Sequence, residues 1–374
     1  MFENLSYLYL QQYWWMIVSL LGALFVFLSF VQGGQSLMYQ VAKTEDQRLL
    51  CINTLGRKWE FTFTTLVTFG GAFFASFPLF YATSFGGAYW VWIAILFCFI
   101  IQAVSYEYRR KPGNLLGQRT YEAFLMINGI LAPILIGTAV GTFFNGAQFI
   151  LDDHNIVHWQ TQARGLEAVL NFHNVALGLS VFFLARVLGA LYFINSVNDE
   201  TVYKLSKKQV MINAVIFLVF FLYFLISLLF KDGYAYDSST GLVHVEAFKY
   251  WHNLIEMPAV FVVLLVGVVS VLWGIISTLI SHTHKGIWFT GGGTVAVVWM
   301  LFLLAGLNNT SFYPSLADMQ SSLTIENSSS SQFTLTVMSY VSLIIPFVVA
   351  YIWWFWKAMN KKQISSDELD SHSY

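Results

Sequence analysis

Charged residues are scarce in this chain: Asp, Glu, Lys and Arg make up 10% of its 374 residues. Soluble domains carry roughly one quarter, so the composition argues against a soluble globular protein. Hydrophobic residues make up 57% and aromatic residues 18%. We therefore predict an integral membrane protein that crosses the bilayer several times.

Cysteine is nearly absent as well. Cys51 lies at the edge of a charged segment and Cys98 lies inside an apolar run. This spacing offers neither a disulfide framework nor a zinc site, so we interpret both as unreactive thiols. The net charge of -1 gives no indication of a nucleic-acid partner. The first twenty residues lack the basic start and the small-residue cleavage site of a signal peptide, and we expect the first apolar run to remain.

Nine apolar runs are each close to the ~20 residues that a helix needs to cross ~30 Å of hydrocarbon. They predict an all-α integral membrane protein with nine transmembrane helices, arranged as two four-helix bundles plus one peripheral helix. We expect one domain, 1–374, with the first bundle in 1–196, the second bundle and last helix in 197–360, and a disordered cytoplasmic tail in 361–374. The nine runs are 13–31, 61–81, 88–106, 123–144, 174–194, 211–230, 259–280, 287–307 and 335–356.

Two connections have structural consequences. Only six residues, 82–87, separate the second and third runs, which predicts a tight hairpin of antiparallel helices. The longer segment 36–58 mixes charged residues with Leu and Ile. It predicts a loop with a short helix lying on the membrane surface.

Lys and Arg are distributed unevenly over the connections. One alternating set holds 15 of the 19 basic residues, the other set holds three, and Arg186 lies within a span. The positive-inside rule then predicts an external N-terminus and a cytoplasmic C-terminus. It also predicts that the second span begins on the cytoplasmic side.

The start of that second span carries a candidate proton relay. Glu60 is a carboxylate at the mouth of an apolar helix, which is costly without a partner or a function. Thr64 and Thr68 follow at i+4 and i+8 and share its helical face, so the three could pass protons through ordered water. Alternatively, Glu60 complements the helix dipole beside Arg57 or Lys58, and the threonines bond their own backbone.

Arg186 is the only basic residue inside a predicted span, so its charge must face protein. We find no acidic residue of this chain at the same predicted depth. One hypothesis is that Arg186 meets a carboxylate of a partner subunit, or the propionate of a cofactor that the partner holds. The alternative is that helix carbonyls and a buried water satisfy it.

The histidines do not form a pattern typical of metal or haem ligands. His154, His158 and His173 lie in a loop or at a helix end, and His282 and His284 are too close in sequence to share a helical face. A haem ligand is expected deep within a span, with a matching partner. We predict that this chain provides no metal or haem ligand.

Several long motifs carry a family resemblance. INTLGRKWE at 52–60, GGAFFASFPLFYAT at 70–83 and QAVSYEYR at 102–109 occur in order, and NNTSFYPSL, SSLTIENSSSSQFTLTVMSYV and PFVVAY follow near the C-terminus. In these motifs the chain resembles subunit II of the cytochrome bd family of quinol oxidases. The likeness extends over nearly the whole chain.

The resemblance implies quinol oxidation coupled to the four-electron reduction of oxygen to water, which generates proton motive force at the bacterial cytoplasmic membrane. In this family two b haems and haem d belong to the other large subunit. This chain is then expected to scaffold that haem-bearing subunit I and to be a candidate conductor of cytoplasmic protons. A structural quinone and small single-span accessory subunits are further candidates, and Trp59 is the candidate contact for a quinone or a lipid.

The sequence departs from the family at one position. Gln35 stands where we expect an acidic residue, and because glutamine does not ionise, a proton-carrying role there is not expected. The resemblance also implies that the Ser-rich segment 308–332 is ordered, although its composition is typical of a flexible linker. The alternative function is a secondary transporter with Glu60 and Arg186 at a midplane substrate site, although the spans lack paired Gly/Pro interruptions.

Overall fold

The structure, a computed structural model, describes residues 2–281, 283–359 and 363–364. In these residues, helices account for almost all of the regular structure, and two short β-hairpins occur in the loops. The α-helices are α1 (Tyr7–Leu28), α2 (Phe30–Val41), α3 (Glu45–Gly56), α4 (Trp59–Ser76), α5 (Pro78–Phe80), α6 (Tyr89–Tyr108), α7 (Gln118–Asn145), α8 (Phe172–Ser196), α9 (Glu200–Phe230), α10 (Lys249–Glu256), α11 (Pro258–Ser281), α12 (Gly286–Gly306), α13 (Ile325–Ser328), α14 (Gln332–Ser342) and α15 (Ile345–Met359). The strands are β1 (Phe149–Leu151), β2 (Val157–Trp159), β3 (Gly233–Tyr236) and β4 (Val243–Glu246).

In the described residues, eight helical segments are long and apolar enough to cross a membrane, and one bent pair raises the number to as many as nine. The prediction of an all-α membrane protein is confirmed. The arrangement as two four-helix bundles plus a peripheral helix stays a prediction. Helix α8 is the most buried of the eight segments, whereas the last one, α14 with α15, is mostly exposed.

The first span is longer than predicted. It runs over Tyr7–Val41 with a break only at Ser29, so the loop expected from residue 36 is wrong up to Val41. The cause is close packing: a Cβ on Gly33 would lie 1.8 Å from the carbonyl oxygen of Ala185 in α8. Since only glycine permits this approach, the polar end of the run continues as a buried helix.

The second span is bent rather than straight. Helix α4 ends at Ser76, and the helical segments on either side of Phe77 meet at 119°. Phe77 precedes Pro78, which disfavours helical backbone at Phe77, and Pro78 itself lacks an N–H. The run 61–81 is therefore interrupted, and the chain turns back through a π-helical segment, Tyr81–Gly86, before α6.

The loops at the hairpin-turn end of the spans form a connected layer. Strand β1 pairs antiparallel with β2, with Phe149 opposite Trp159, and β3 pairs antiparallel with β4. The segment between α12 and α14 joins both hairpins through bridges from Ser315 to Ala147 and from Thr310 to Ala235. This end of the protein is thus covered by backbone that cross-links three loops.

The Ser-rich segment is ordered, as expected from the resemblance. Thr324 and Asn327 form a capping box at α13. Ser329 accepts a hydrogen bond from Gln11 of α1 at 2.7 Å, and the Ser330 N–H donates to the carbonyl of Ser76 at 2.8 Å. The predicted tail 361–374 lies outside the described residues except for 363–364, of which Ile364 donates to the carbonyl of Ser196.

Candidate functional site

Helix α4 presents the predicted polar row on its outer face. Glu60, Thr64 and Thr68 are all exposed in this chain, so the structure brings the three onto one face, as their spacing predicts. The Thr68 hydroxyl donates to the carbonyl of Thr64 at 2.8 Å. The row faces away from the chain rather than into a cavity of its own.

Glu60 lies in the first turn of α4, where its charge complements the helix dipole. In the described part of the chain, neither Arg57 nor Lys58 forms an ion pair with it. The Lys58 ammonium instead lies over the ring of Trp356, 4.8 Å from its centroid. The carboxylate of Glu60 is thus accessible to any molecule that packs on this face of α4.

Trp59 connects this row to the interior. Its ring stacks on Tyr106 of α6, with centroids 5.8 Å apart and planes 11° from parallel. The Tyr106 hydroxyl accepts a hydrogen bond from Gln35 at 3.0 Å. The indole N–H of Trp59 is buried and has no hydrogen-bond partner among the described residues.

Arg186 lies in α8 and is 8% exposed. Its Nε donates to Asn213 of α9 at 2.6 Å, and one terminal nitrogen donates to Gln40 of α2 at 2.6 Å. The other terminal nitrogen donates to the hydroxyl and the carbonyl of Ser36 at 3.2 and 3.3 Å. The guanidinium also lies over Phe182, 5.5 Å from the ring centroid. Arg186 therefore holds α2 and α9 against α8 through neutral acceptors.

Sequence reasoning did not find the buried ion pair between Arg109 and Glu122. The two side chains, 1% and 3% exposed, meet at 2.9 Å between the end of α6 and the start of α7. Glu122 also accepts hydrogen bonds from Tyr39 at 2.6 Å and Gln118 at 2.9 Å. No sequence pattern links Arg109 to Glu122, because the charged connection between them contains several other candidate partners.

Two of the histidines singled out in the sequence are held by contacts within the chain. Both ring nitrogens of His173 are bonded within the chain, Nδ1 to the side-chain amide of Asn145 and Nε2 to the carbonyl of Phe224. His158 contacts Asp152 in a loop. In the described residues, no group of three or more His, Cys, Asp or Glu side chains could hold a metal ion.

Comparison with known proteins identifies the family. The model of the cytochrome bd terminal oxidase subunit II family matches residues 10–359. The chain belongs to this family. Cytochrome bd-I ubiquinol oxidase subunit 2 of Escherichia coli (strain K12) is 25% identical over 99% of both chains. Cytochrome bd ubiquinol oxidase subunit 2 of Bacillus subtilis (strain 168) is 23% identical over 94% of this chain and 96% of its own.

A solved structure supports the same fold for this cytochrome bd oxidase subunit. The structure of bd oxidase from Geobacillus thermodenitrificans matches with a TM-score of 0.62 and 12% identity, and the match covers 94% of this chain and 98% of that chain. The resemblance inferred from the motifs is confirmed. This protein is thus a multi-pass subunit of a bacterial terminal oxidase, an oxidoreductase complex.

Proposed function

We propose that this chain is the haem-free second large subunit of a quinol oxidase, which scaffolds a haem-bearing subunit I that reduces oxygen to water. The two b haems and haem d would belong to that partner. The relatives from E. coli and B. subtilis are named as ubiquinol oxidase subunits, which supports a quinol as electron donor. Family membership favours this function over a secondary transporter.

The main support for a partner subunit is the exposed polar face of α4. A carboxylate and hydroxyl groups on the outside of a span are unfavourable against lipid. Glu60, Thr64 and Thr68 nevertheless lie exposed on α4, so we propose that subunit I covers them. Packed against the partner, the row becomes an internal polar path at the junction of the two subunits.

Within this path we propose that Glu60 takes up protons and passes them along the two hydroxyls through ordered water. The Lys and Arg distribution predicts that this end of the helix faces the cytoplasm, from which an oxidase that builds membrane potential must draw protons. The N-terminus would be external and the C-terminus cytoplasmic. The carboxylate has no ion pair in the described residues, so it is available to carry a proton, whereas its place in the first turn of α4 and the bond from Thr68 to the Thr64 carbonyl fit the structural alternative.

For Arg186 the contacts support a structural role. Its bonds to neutral oxygens of α2 and α9 match the alternative in which this chain satisfies the charge itself. We therefore propose that Arg186 fixes the α2–α8–α9 junction. Contact with a partner carboxylate or a propionate remains the second hypothesis. Trp59, with one face stacked on Tyr106, remains the candidate contact for a structural quinone or a lipid.

Replacing Glu60 by Gln tests the proton path. We expect the turnover of the assembled oxidase to fall on the order of 10- to 100-fold, because the amide keeps the size of the side chain but cannot carry a proton. The haem spectrum of the complex should not change. Oxygen consumption with a soluble quinol, measured beside that spectrum, checks both expectations.

The matched control is Glu107→Gln. Glu107 is an exposed carboxylate at the same end of the same helical hairpin and pairs with Lys111, so its removal should leave turnover unchanged. Unchanged turnover in Glu60→Gln would show that Glu60 does not conduct protons. Loss of the haem signal in Glu60→Gln would indicate a role in assembly instead.

A further inference from the structure

Three buried amides meet in the interior of the first half of the chain. Gln32 of α2 donates through its amide nitrogen to Gln102 of α6 at 2.9 Å and to Asn128 of α7 at 3.3 Å. All three side chains are at most 1% exposed. They lie within helices that are long and apolar enough to cross a membrane, where an amide is costly unless all of its polar atoms are bonded.

This cluster begins a row of hydrogen-bonded polar side chains, which we call the polar ladder. Its members are Gln32, Gln35, Tyr39, Gln102, Tyr106, Glu122 and Asn128. One turn along α2, Gln35 donates to the hydroxyl of Tyr106, which lies one turn along α6 from Gln102. One further turn brings Tyr39 of α2, which donates to Glu122. Residues 32 to 39 span seven helical steps, or ~10 Å. The ladder therefore extends from the end of the helices near Glu122 into the interior.

Four amide atoms of this ladder are buried and have no hydrogen-bond partner anywhere in residues 2–281, 283–359 and 363–364. They are Gln32 Oε1, Gln35 Oε1, Gln102 Nε2 and Asn128 Nδ2. The bonds between Gln32, Gln102 and Asn128 survive only if these three amides are turned over together, which changes which atoms are unbonded but not how many there are. The set contains both donors and acceptors, whichever way the amides point.

Unbonded groups of this kind are expensive. A buried donor or acceptor without a partner costs ~1–3 kcal/mol, and four of them lie on one ladder. Buried water molecules commonly bond two to four such groups and are the usual solution in native proteins. Since water both donates and accepts, it suits a mixed set of amide oxygens and nitrogens.

A cavity opens at the Glu122 end of the ladder. Its volume is about 490 Å³. The side chains around it are polar or charged, and they are Tyr39, Glu45, Arg48, Gln118, Arg119 and Glu122. Tyr39 and Glu122 belong to both the cavity and the ladder. Solvent at the membrane surface thus reaches the first polar groups of the ladder directly.

We propose that this ladder binds ordered water molecules, which bond the unpaired amide atoms of Gln32, Gln35, Gln102 and Asn128. These water molecules connect to the cavity at Glu122. The site lies between α2, α6 and α7, whereas the row at Glu60 lies on the outer face of α4. Because its amides are neutral, it holds water without a fixed charge in the interior. The proposal does not depend on the proposed function.

Hydroxyl-radical footprinting of the assembled oxidase by X-ray radiolysis tests the site, because bound water activated in place labels the side chains beside it. Tyr106 and Tyr192 are a matched pair. They are 4% and 2% exposed, and both hydroxyls are hydrogen-bonded. We expect Tyr106 to be labelled several-fold faster than Tyr192. Equal labelling rates would overturn the proposal.

The variant Gln102→Leu removes one amide at similar size and should lower the labelling of Tyr106 while leaving that of Tyr192 unchanged. Should this variant fail to assemble, a density map of the wild-type oxidase decides the question. Separate peaks ~2.7–3.2 Å from the four amide atoms would support water. No peaks, or one flat ring-shaped density typical of a quinone headgroup, would contradict it.

Discussion

Helices α4 and α8 each carry a charged residue in an apolar helix, but they accommodate it in opposite ways. In α8, Arg186 is buried and donates from all three guanidinium nitrogens to neutral oxygens of neighbouring helices. In α4, Glu60 is exposed and has no ion pair in the described residues. A charge that the chain satisfies itself belongs to its own fold, whereas a charge left open on a span indicates where another polypeptide must pack.

The largest effect is expected from breaking the α8 side of this comparison. Arg186→Met leaves the oxygens of Asn213 and Ser36, which are both buried, without this donor, and we expect this to cost about 3 kcal/mol. The thermal unfolding midpoint and the yield of assembled oxidase measure this. Lys208→Met, an exposed lysine of α9, is the control and should change neither. Normal stability and turnover in Arg186→Met would remove both hypotheses for this residue.

A pair of glycines tests the same contrast through packing alone. Gly33→Ala forces α2 away from α8, because the new Cβ would lie 1.8 Å from a carbonyl oxygen, and we expect a loss of ~2–3 kcal/mol. Gly292 of α12 is exposed and has no atom within 4 Å of such a Cβ, so Gly292→Ala should be neutral or stabilising by up to ~1 kcal/mol. Chemical or thermal unfolding of both variants checks this. Similar losses in the two would contradict the contrast.

Lys231, just beyond α9, tests whether a buried cation in a loop is also stabilised by neutral acceptors of its own chain, as Arg186 is. Its ammonium donates to the carbonyl of Phe144 and to Asn145, and burial lowers its pKa from 10.5 to about 8 although Asp232 opposes the shift. The unfolded chain therefore binds more protons between these values, so stability should rise with pH from about 8 to 10.5. We expect a gain on the order of 1 kcal/mol that Lys231→Met abolishes. Unfolding midpoints across this pH range, compared between the two proteins, provide the test.

The smallest expected effect is on turnover and concerns the hydroxyl groups of α4. Thr64→Val removes one hydroxyl from the proposed path, and we expect turnover to fall about threefold, the equivalent of one hydrogen bond. Thr65→Val is the control, since the Thr65 hydroxyl lies on another face and donates to the carbonyl of Phe61 at 2.7 Å. Stopped-flow measurement of oxygen reduction compares the two. An equal decrease in both variants would argue against a specific path.

Local pattern was sufficient for much of the fold. Apolar runs predicted the spans, and helical spacing correctly put Glu60, Thr64 and Thr68 on one face. The bend before Pro78 had a visible signal, the residue pair Phe77–Pro78, but the apolar run continued through it without interruption. Length and hydropathy alone therefore described it as one straight helix.

Long-range contacts account for what sequence reasoning missed. Gln32 and Gln35 predicted the end of a span, because polar residues are usually found outside the hydrocarbon core. In the structure each donates a hydrogen bond to a side chain of α6. Arg186 finds Ser36 and Gln40 about 150 residues earlier. No periodicity within a single segment encodes such pairs. The polar residues nevertheless recur at helical spacing within α2, which is the signal that could have suggested a buried polar ladder.

The placement of α1 has a consequence for biogenesis. This helix packs against α12, α13 and α14, so it is synthesised more than 250 residues before these neighbours. Such distant pairings form slowly. The nascent protein must therefore hold α1 in the bilayer, with one side unmatched, until α12 to α14 have been made. Removing α13 and α14 should therefore destabilise the packing of α1.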